Sequence, residues 1–315
     1  MSPAHRTRGG GLGRAAIAAV LAAALLAPGC TAGRRVATTA PGVPVATGAP
    51  SAAELAEVAA ARRRSLHALR ATGKLQVTVD ATEGSEARRQ RLSASQSLLA
   101  RAPDSFRLEA LTPFGVGYVV AADGASIAAY APGERVLWRG DADLRTVAAT
   151  TGVAAEPSDV VALLLGVAPV PPLDLARARV SRASGAGEGS RGASGDDDAP
   201  ELLLHATVRD RPDDLVVVGY ARPTAASGAW VPVLFERSTI EGDLVLRARF
   251  GDFAASPPGP VARRVEIEAG GSKAVLRCSG FEVNPAIDAT AFSIPTPPGV
   301  REQRLVDPAT AGSAP

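Results

Sequence analysis

Apolar and polar side chains alternate at a period of two over most of this chain, and that pattern leaves few folds besides a large antiparallel sheet. Leu75, Val77 and Val79 alternate with Lys74, Gln76 and Thr78; Leu92, Ala94, Gln96 and Leu98 with Arg91, Ser93, Ser95 and Ser97; Phe106, Leu108 and Ala110 with Arg107 and Glu109. Further strands are predicted over 116–122, 126–130 and 135–138, separated by Asp123-Gly124 and Pro132-Gly133, which supply hairpin turns. The pattern resumes over 173–180, 202–208, 215–220, 231–240, 244–250, 265–269 and 273–283. Each strand then has one apolar side, so the sheet must curl on itself or be covered by helices, and helices are scarce. The expected fold is mainly β with helices, an unclosed antiparallel barrel with a lined interior, capped by short helices.

Ser51 and Glu54 have the spacing of a capping box, and Leu55, Val58, Leu66 and Leu69 follow at helical intervals, predicting an amphipathic helix to about Ala71 that Gly73 stops. Asp141 is positioned to cap a short helix before Gly152, and Pro157 suits the first position of another that ends at Leu163 to Gly166. Both can lie across an open side of the sheet. Residues 184–200 are rich in Gly, Ser and Asp and read as a loop insertion.

The N-terminus places the domain in the cell envelope. His5, Arg6, Arg8 and Arg14 precede an apolar run from Ala15 to Ala27, closed by Pro28, Gly29 and Cys30. Residues 1–29 read as a signal peptide, and the run is shorter than the ~20 residues of a spanning helix. A small residue before a cysteine, with Leu25 and Leu26 upstream, resembles the lipobox of bacterial lipoproteins, which makes Cys30 the acylated first residue of the mature protein. A secretory signal with a chance cysteine, or an uncleaved anchor, are the other readings. Residues 30–50 form a flexible tether of Ala, Thr, Pro and Gly, 51–295 the single domain, and 296–315 a flexible tail. Thr31 in place of Asp is compatible with passage to the outer membrane.

Little in the chain points to covalent chemistry. The 34 Lys and Arg against 32 Asp and Glu make no concentrated positive field, so nucleic acid is not an expected partner. With Cys30 acylated, Cys278 is the remaining thiol and no intramolecular disulfide can form; it reads as a small apolar residue. His67 and His205 are too few for a metal or catalytic cluster, Asp196 to Asp198 read as solvated carboxylates, and nucleophile-elbow, phosphate-loop and zinc motifs are missing. No cofactor, no metal and no enzymatic activity are expected.

Leu111-Thr112-Pro113-Phe114-Gly115 stands out at the end of one strand: Pro113 restricts the turn, Gly115 tightens it, and Phe114 falls outside the alternation. Phe114 either projects from the loop tip toward a membrane interface or folds back as a plug over the barrel end.

These features, in this order, resemble the LolB family of outer-membrane lipoprotein receptors and their relatives of the LolA/LolB fold. A helix leads into Ala71-Thr72-Gly73 and a strand; Phe106 to Leu111 runs into Thr112-Pro113-Phe114-Gly115, similar to the family's N-P-L-G turn; Asp141 to Gly152 and Ser158 to Gly166 resemble its paired helices. Phe281 to Pro285 and Phe292 to Pro295 look more like the ending of LolA-like carriers. The resemblance implies an apolar cavity that accepts lipoprotein acyl chains such as palmitate from a periplasmic LolA-like carrier. It also implies a monomer, lipid-anchored on the periplasmic face of the outer membrane, with Phe114 as the membrane-inserting residue. Leu108, Trp138, Leu164, Phe250 and Ile267 are the expected cavity lining, and an aromatic content of only 4% favours loose packing there. A sensor or structural envelope lipoprotein of the same fold is the alternative.

Overall fold

Every one-sided strand needs hydrogen-bonding neighbours, and the chain supplies them mostly from adjacent segments. A computed structural model describes residues 43–44, 49–83, 86–183 and 199–305; the signal segment, Cys30, Asp196 to Asp198 and the end of the tail lie outside the described residues. A two-residue strand β1 (Val43–Pro44) precedes helix α1 (Ala52–Ser65). A first meander follows: β2 (Ala68–Glu83), β3 (Glu86–Arg101), β4 (Ser105–Thr112), β5 (Gly115–Asp123), β6 (Ser126–Ala131) and β7 (Val136–Asp141). Helices α2 (Leu144–Thr151) and α3 (Pro157–Leu164) interrupt the sheet, which resumes with β8 (Arg179–Arg182), β9 (Leu202–Val208), β10 (Arg211–Ala221), β11 (Val231–Thr239), β12 (Leu244–Ala254), β13 (Val261–Ala269) and β14 (Ser272–Val283), and ends with β15 (Arg301–Arg304).

These strands make one 15-stranded sheet in the order β1-β8-β9-β10-β11-β12-β13-β14-β2-β3-β4-β5-β6-β7-β15. All pairings are antiparallel except β7 with β15. The two meanders join where β14 pairs with β2, from Ser272 opposite Val79 to Val283 opposite Leu69. β1 and β15 remain edges, so the sheet is unclosed, as expected, and α1, α2 and α3 accompany it.

Helix α1 starts as its sequence dictates, with the Ser51 hydroxyl accepting from the Glu54 N–H and the Glu54 carboxylate accepting from the Ser51 N–H at 2.7 Å. Its end differs from the expectation. The helix stops at Ser65, and Ala68 to Thr72 are strand, because Asn284 captures the junction. Its Oδ1 accepts from the N–H groups of His67 and Ala68 at 2.9 and 3.1 Å, and its Nδ2 donates to the Ser65 carbonyl at 2.8 Å. Gly73 therefore stops no helix. It lies within β2, where a Cβ would sit 1.9 Å from the Arg277 carbonyl oxygen, beside the irregularity between Cys278 and Gly280.

At α2 the cap is Asp143, not Asp141: its carboxylate accepts from the Thr146 N–H at 2.8 Å, while Asp141 ends β7, and Gly152 closes the helix at a φ of 74°. Pro157 opens α3 as predicted. The segment after Pro172 is a single bridge at Leu173 and then β8, rather than one strand over 173–180.

The one-sided pattern also fails in β5 to β7, where both faces are buried. The segment after β14 crosses the outer face, seating Ile294 against Val119, Ala121, Ala128 and Leu137, and the Arg139 guanidinium donates to the Ile294 carbonyl at 2.6 Å. The expected free tail from 296 is thus held through Leu305, whose N–H donates to the Arg139 carbonyl at 2.6 Å.

Replacing Asn284, which sits at a φ of 53°, by Ala removes three side-chain hydrogen bonds and places a Cβ-bearing residue without side-chain compensation in the left-handed region. Asn284→Ala is expected to lower stability by about 3 kcal/mol, measured by urea unfolding.

Candidate apolar ligand-binding site

The apolar faces of neighbouring strands line up into continuous rows. Leu92, Val77, Ala274, Ile267, Ala248 and Phe235 are successive cross-strand partners from β3 to β11, and Ala94, Leu75, Leu276, Val265 and Phe250 form a parallel row. Where β2 to β5, β13 and β14 carry these rows beneath α2 and α3, the side chains do not meet and leave a cavity of about 90 Å³. Leu75, Val77, Leu92, Ala94, Phe106, Leu108, Ala110, Tyr118, Val120, Ile267, Ala274 and Leu276 form its wall, and Val153, Val160, Leu163 and Leu164 its roof.

Ser93 belongs to the opposite face of β3 from Leu92 and Ala94, and the Thr and Tyr hydroxyls at the cavity are bonded to the protein. The Thr150 and Thr151 hydroxyls donate back to helix carbonyls, Thr150 to Thr146 at 2.8 Å and Thr151 to Val147 at 2.7 Å, so these residues leave their carbon atoms to the void. The Tyr118 hydroxyl donates to the Thr150 carbonyl at 3.1 Å, and burial, with the charge of Glu134, raises its pKa well above the usual phenol value. A void needs roughly 10–15 Å³ to hold one water, but water needs polar partners that this wall lacks. The space suits an apolar guest.

Of the residues expected to line such a cavity, Leu108, Leu164 and Ile267 do so. Phe250 and Trp138 do not. Phe250 pairs with Val265 and is packed solid in the core, while Trp138, half-buried on β7 opposite Ala129, packs against the edge of the same core. Tyr118, Val77, Ala274 and Leu276 line it too, and all but Tyr118 continue the sequence's period-two alternations.

Phe114 is 78% exposed at the tip of the β4–β5 turn. The Thr112 hydroxyl shapes that turn, accepting from the Phe114 N–H at 3.3 Å and donating to the Gly115 carbonyl at 2.9 Å, while Gly115 adopts a φ of 113°. Leu111 pairs with Ser95, so the turn projects beside the Leu92 to Ala94 stretch that walls the cavity.

The other candidate residues lie apart from this site. His67 is exposed between α1 and β2. His205 lies within hydrogen-bond distance of the Ser181 hydroxyl at 3.1 Å, with its pKa lowered by burial against the opposing charge of Glu236. Cys278 packs at the core edge, and burial raises its thiol pKa, which keeps it protonated. Among the described residues no cluster of three or more His, Cys, Asp or Glu can hold a metal ion, and no helix is long and apolar enough to cross a membrane. Sequence reading missed Arg62, which is buried from α1 with its pKa lowered to about 10 by burial and its guanidinium 5.8 Å from the Phe253 ring.

No protein-family model and no curated protein matches the chain. Among solved structures, it is similar to a LolA superfamily protein from Nitrosomonas europaea, at 14% identity over 78% of this chain and 99% of that one, with a TM-score of 0.44. It is also similar to a protein from Vibrio parahaemolyticus described as an outer membrane lipoprotein-sorting domain, at 13% identity over 75% and 94% of the two chains, with a TM-score of 0.43.

Filling the void tests its use. Ala110→Leu places an isobutyl group in the cavity, and is expected to weaken binding of an apolar fluorescent probe at least tenfold while changing the melting temperature by no more than a few degrees. Probe titration and thermal unfolding of the same preparation check both halves of the expectation.

Proposed function

We propose that this protein is a lipid-anchored receptor that takes the acyl chains of lipoproteins from a periplasmic carrier and passes them to the outer membrane. The observation that carries the proposal is the cavity under α2 and α3, walled by alkyl and aromatic carbon and bounded by hydroxyls already bonded to the protein. Such a site recognises length and apolarity rather than charge, which is what an acyl chain offers. Acylated Cys30 would hold the domain at the membrane through the 30–50 tether, with the signal 1–29 removed.

Phe114 supplies the step at the bilayer. It is a large apolar side chain presented to solvent on a tight turn beside the cavity wall, so insertion into the interface would bring a bound chain and the lipid together. The transfer needs no covalent chemistry, because burial in the cavity and burial in the bilayer are similar in free energy and the chain can move in either direction.

The test gives a carrier loaded with a labelled lipoprotein to the unacylated protein in the presence of liposomes. Label should move onto this protein and then into the liposomes. Phe114→Glu should leave the melting temperature within about 2 °C of wild type, since the residue is exposed, while slowing delivery to liposomes at least tenfold. Label that stays on the carrier would overturn the receptor reading and leave a sensing or structural lipoprotein.

A further inference from the structure

One polar side chain beside the cavity, on the same sheet face as its wall, is not satisfied by the fold. Gln96 is 1% exposed, and neither its Nε2 nor its Oε1 has a hydrogen-bond partner. Buried carboxamides are nearly always bonded, because an unpaired donor and acceptor lose their water without replacement. On β3, Gln96 shares a face with Ala94 and Leu98, and its cross-strand neighbours are Gly73 and Ala110, two of the smallest residues available. Ala94 and Ala110 both line the cavity, so the amide lies at its edge, with little side-chain bulk on either flank. The remaining unpaired buried side-chain polar atoms among the described residues are guanidinium nitrogens of Arg62, Arg237, Arg263 and Arg264.

Resting on the acyl-chain reading above, we propose that Gln96 is the polar end of the site and hydrogen-bonds the carbonyl group at the head of the bound chain. A Gln side chain offers two N–H donors and one acceptor oxygen. An amide-linked acyl group gives its carbonyl, a strong acceptor, to Nε2–H; its N–H is trans to that carbonyl and points away from Oε1 of the same side chain. An ester-linked acyl group offers Nε2–H a weaker acceptor, and a bare hydrocarbon offers none. The site therefore selects acyl groups over plain alkanes of equal length, and N-acyl over O-acyl chains. Chain length is read by the apolar cavity and chemical class by one residue.

The experiment uses the full chain carrying Cys30→Ala, so that its own acyl groups do not compete, with anilinonaphthalene sulfonate as a displaceable probe. Hexadecane, methyl palmitate and N-methylpalmitamide are the three competitors. Methyl palmitate should compete roughly three- to tenfold better than hexadecane, the usual effect of a single hydrogen bond, and N-methylpalmitamide roughly threefold better again because its carbonyl is the stronger acceptor. Gln96→Leu should bring all three within about twofold of one another, with hexadecane bound at least as well as by wild type. The same variant without ligand should melt no lower than wild type, because it removes an unpaired amide; Gln96→Met repeats the test with a more pliable side chain. Wild type that ranks the three alike, or a Gln96→Leu variant that keeps the ranking, would overturn the inference while leaving the cavity reading in place. A variant pair that melts lower would do the same, by showing that the fold already uses the amide. Failure of hexadecane to displace the probe from wild type would remove the cavity reading and this inference together.

Discussion

The pairing of β14 with β2 is the constraint on which the rest of the structure depends. It joins residues about 200 positions apart, and without it each meander would be a separate sheet with an exposed edge and an uncovered apolar face. Asn284 fixes where that pairing ends. Its side chain bonds the last turn of α1 and the first residues of β2, while its own N–H donates to the Ala68 carbonyl at 2.8 Å. One residue thus ends the helix and positions it over the sheet.

The joined sheet then presents two halves of unlike packing. Across β9 to β12 the concave face carries large side chains that meet: Tyr220, Phe235, Phe250 and Leu204 are essentially inaccessible, and the Tyr220 hydroxyl donates to the Leu55 carbonyl of α1 at 2.7 Å. Helix α1 fills this half. Across β14 and β2 to β5 the face carries Ala94, Ala110 and Ala274 among its larger residues, and the cover is two eight-residue helices. Short helices over small side chains leave the void. The cavity is therefore a consequence of where side-chain volume was placed along rows that are otherwise continuous.

This explains how much was legible in the sequence. Strand existence and facing followed from a period of two, and most strand positions and both hairpin turns agree with the structure. The α1 end did not follow, because Leu66 and Leu69 fit a helix as well as a strand and the deciding contact comes from Asn284, more than 200 residues away. The buried outer face of β5 to β7 did not follow either, since Ile294 belongs to a segment with no strand pattern. Within the site, alternation placed Leu108 and Ile267 on the concave face, but it placed Phe250 there equally. A period of two reports which way a side chain points and carries nothing about whether its neighbours reach it.

A void costs stability, because its lining atoms lack partners on one side, and the fold offsets this on the opposite face of β11 to β14. Arg247 bonds Glu236 at 2.6 Å and Glu268 at 3.4 Å, and Lys273 bonds Glu266 at 2.9 Å and Glu268 at 3.3 Å, with Arg264 also paired to Glu266. Burial opposes ionisation of Glu266, yet Lys273 and Arg264 hold its pKa below the usual carboxylate value. Single exposed pairs contribute little, but Glu236 is nearly buried and the charges share partners across β11 to β14. β13 and β14, two of the strands that wall the cavity, are thus tied to each other and to β11 and β12 through side chains that point away from it. An apolar site can remain partly empty in such a sheet because the contacts that hold the strands in register do not depend on what the cavity contains.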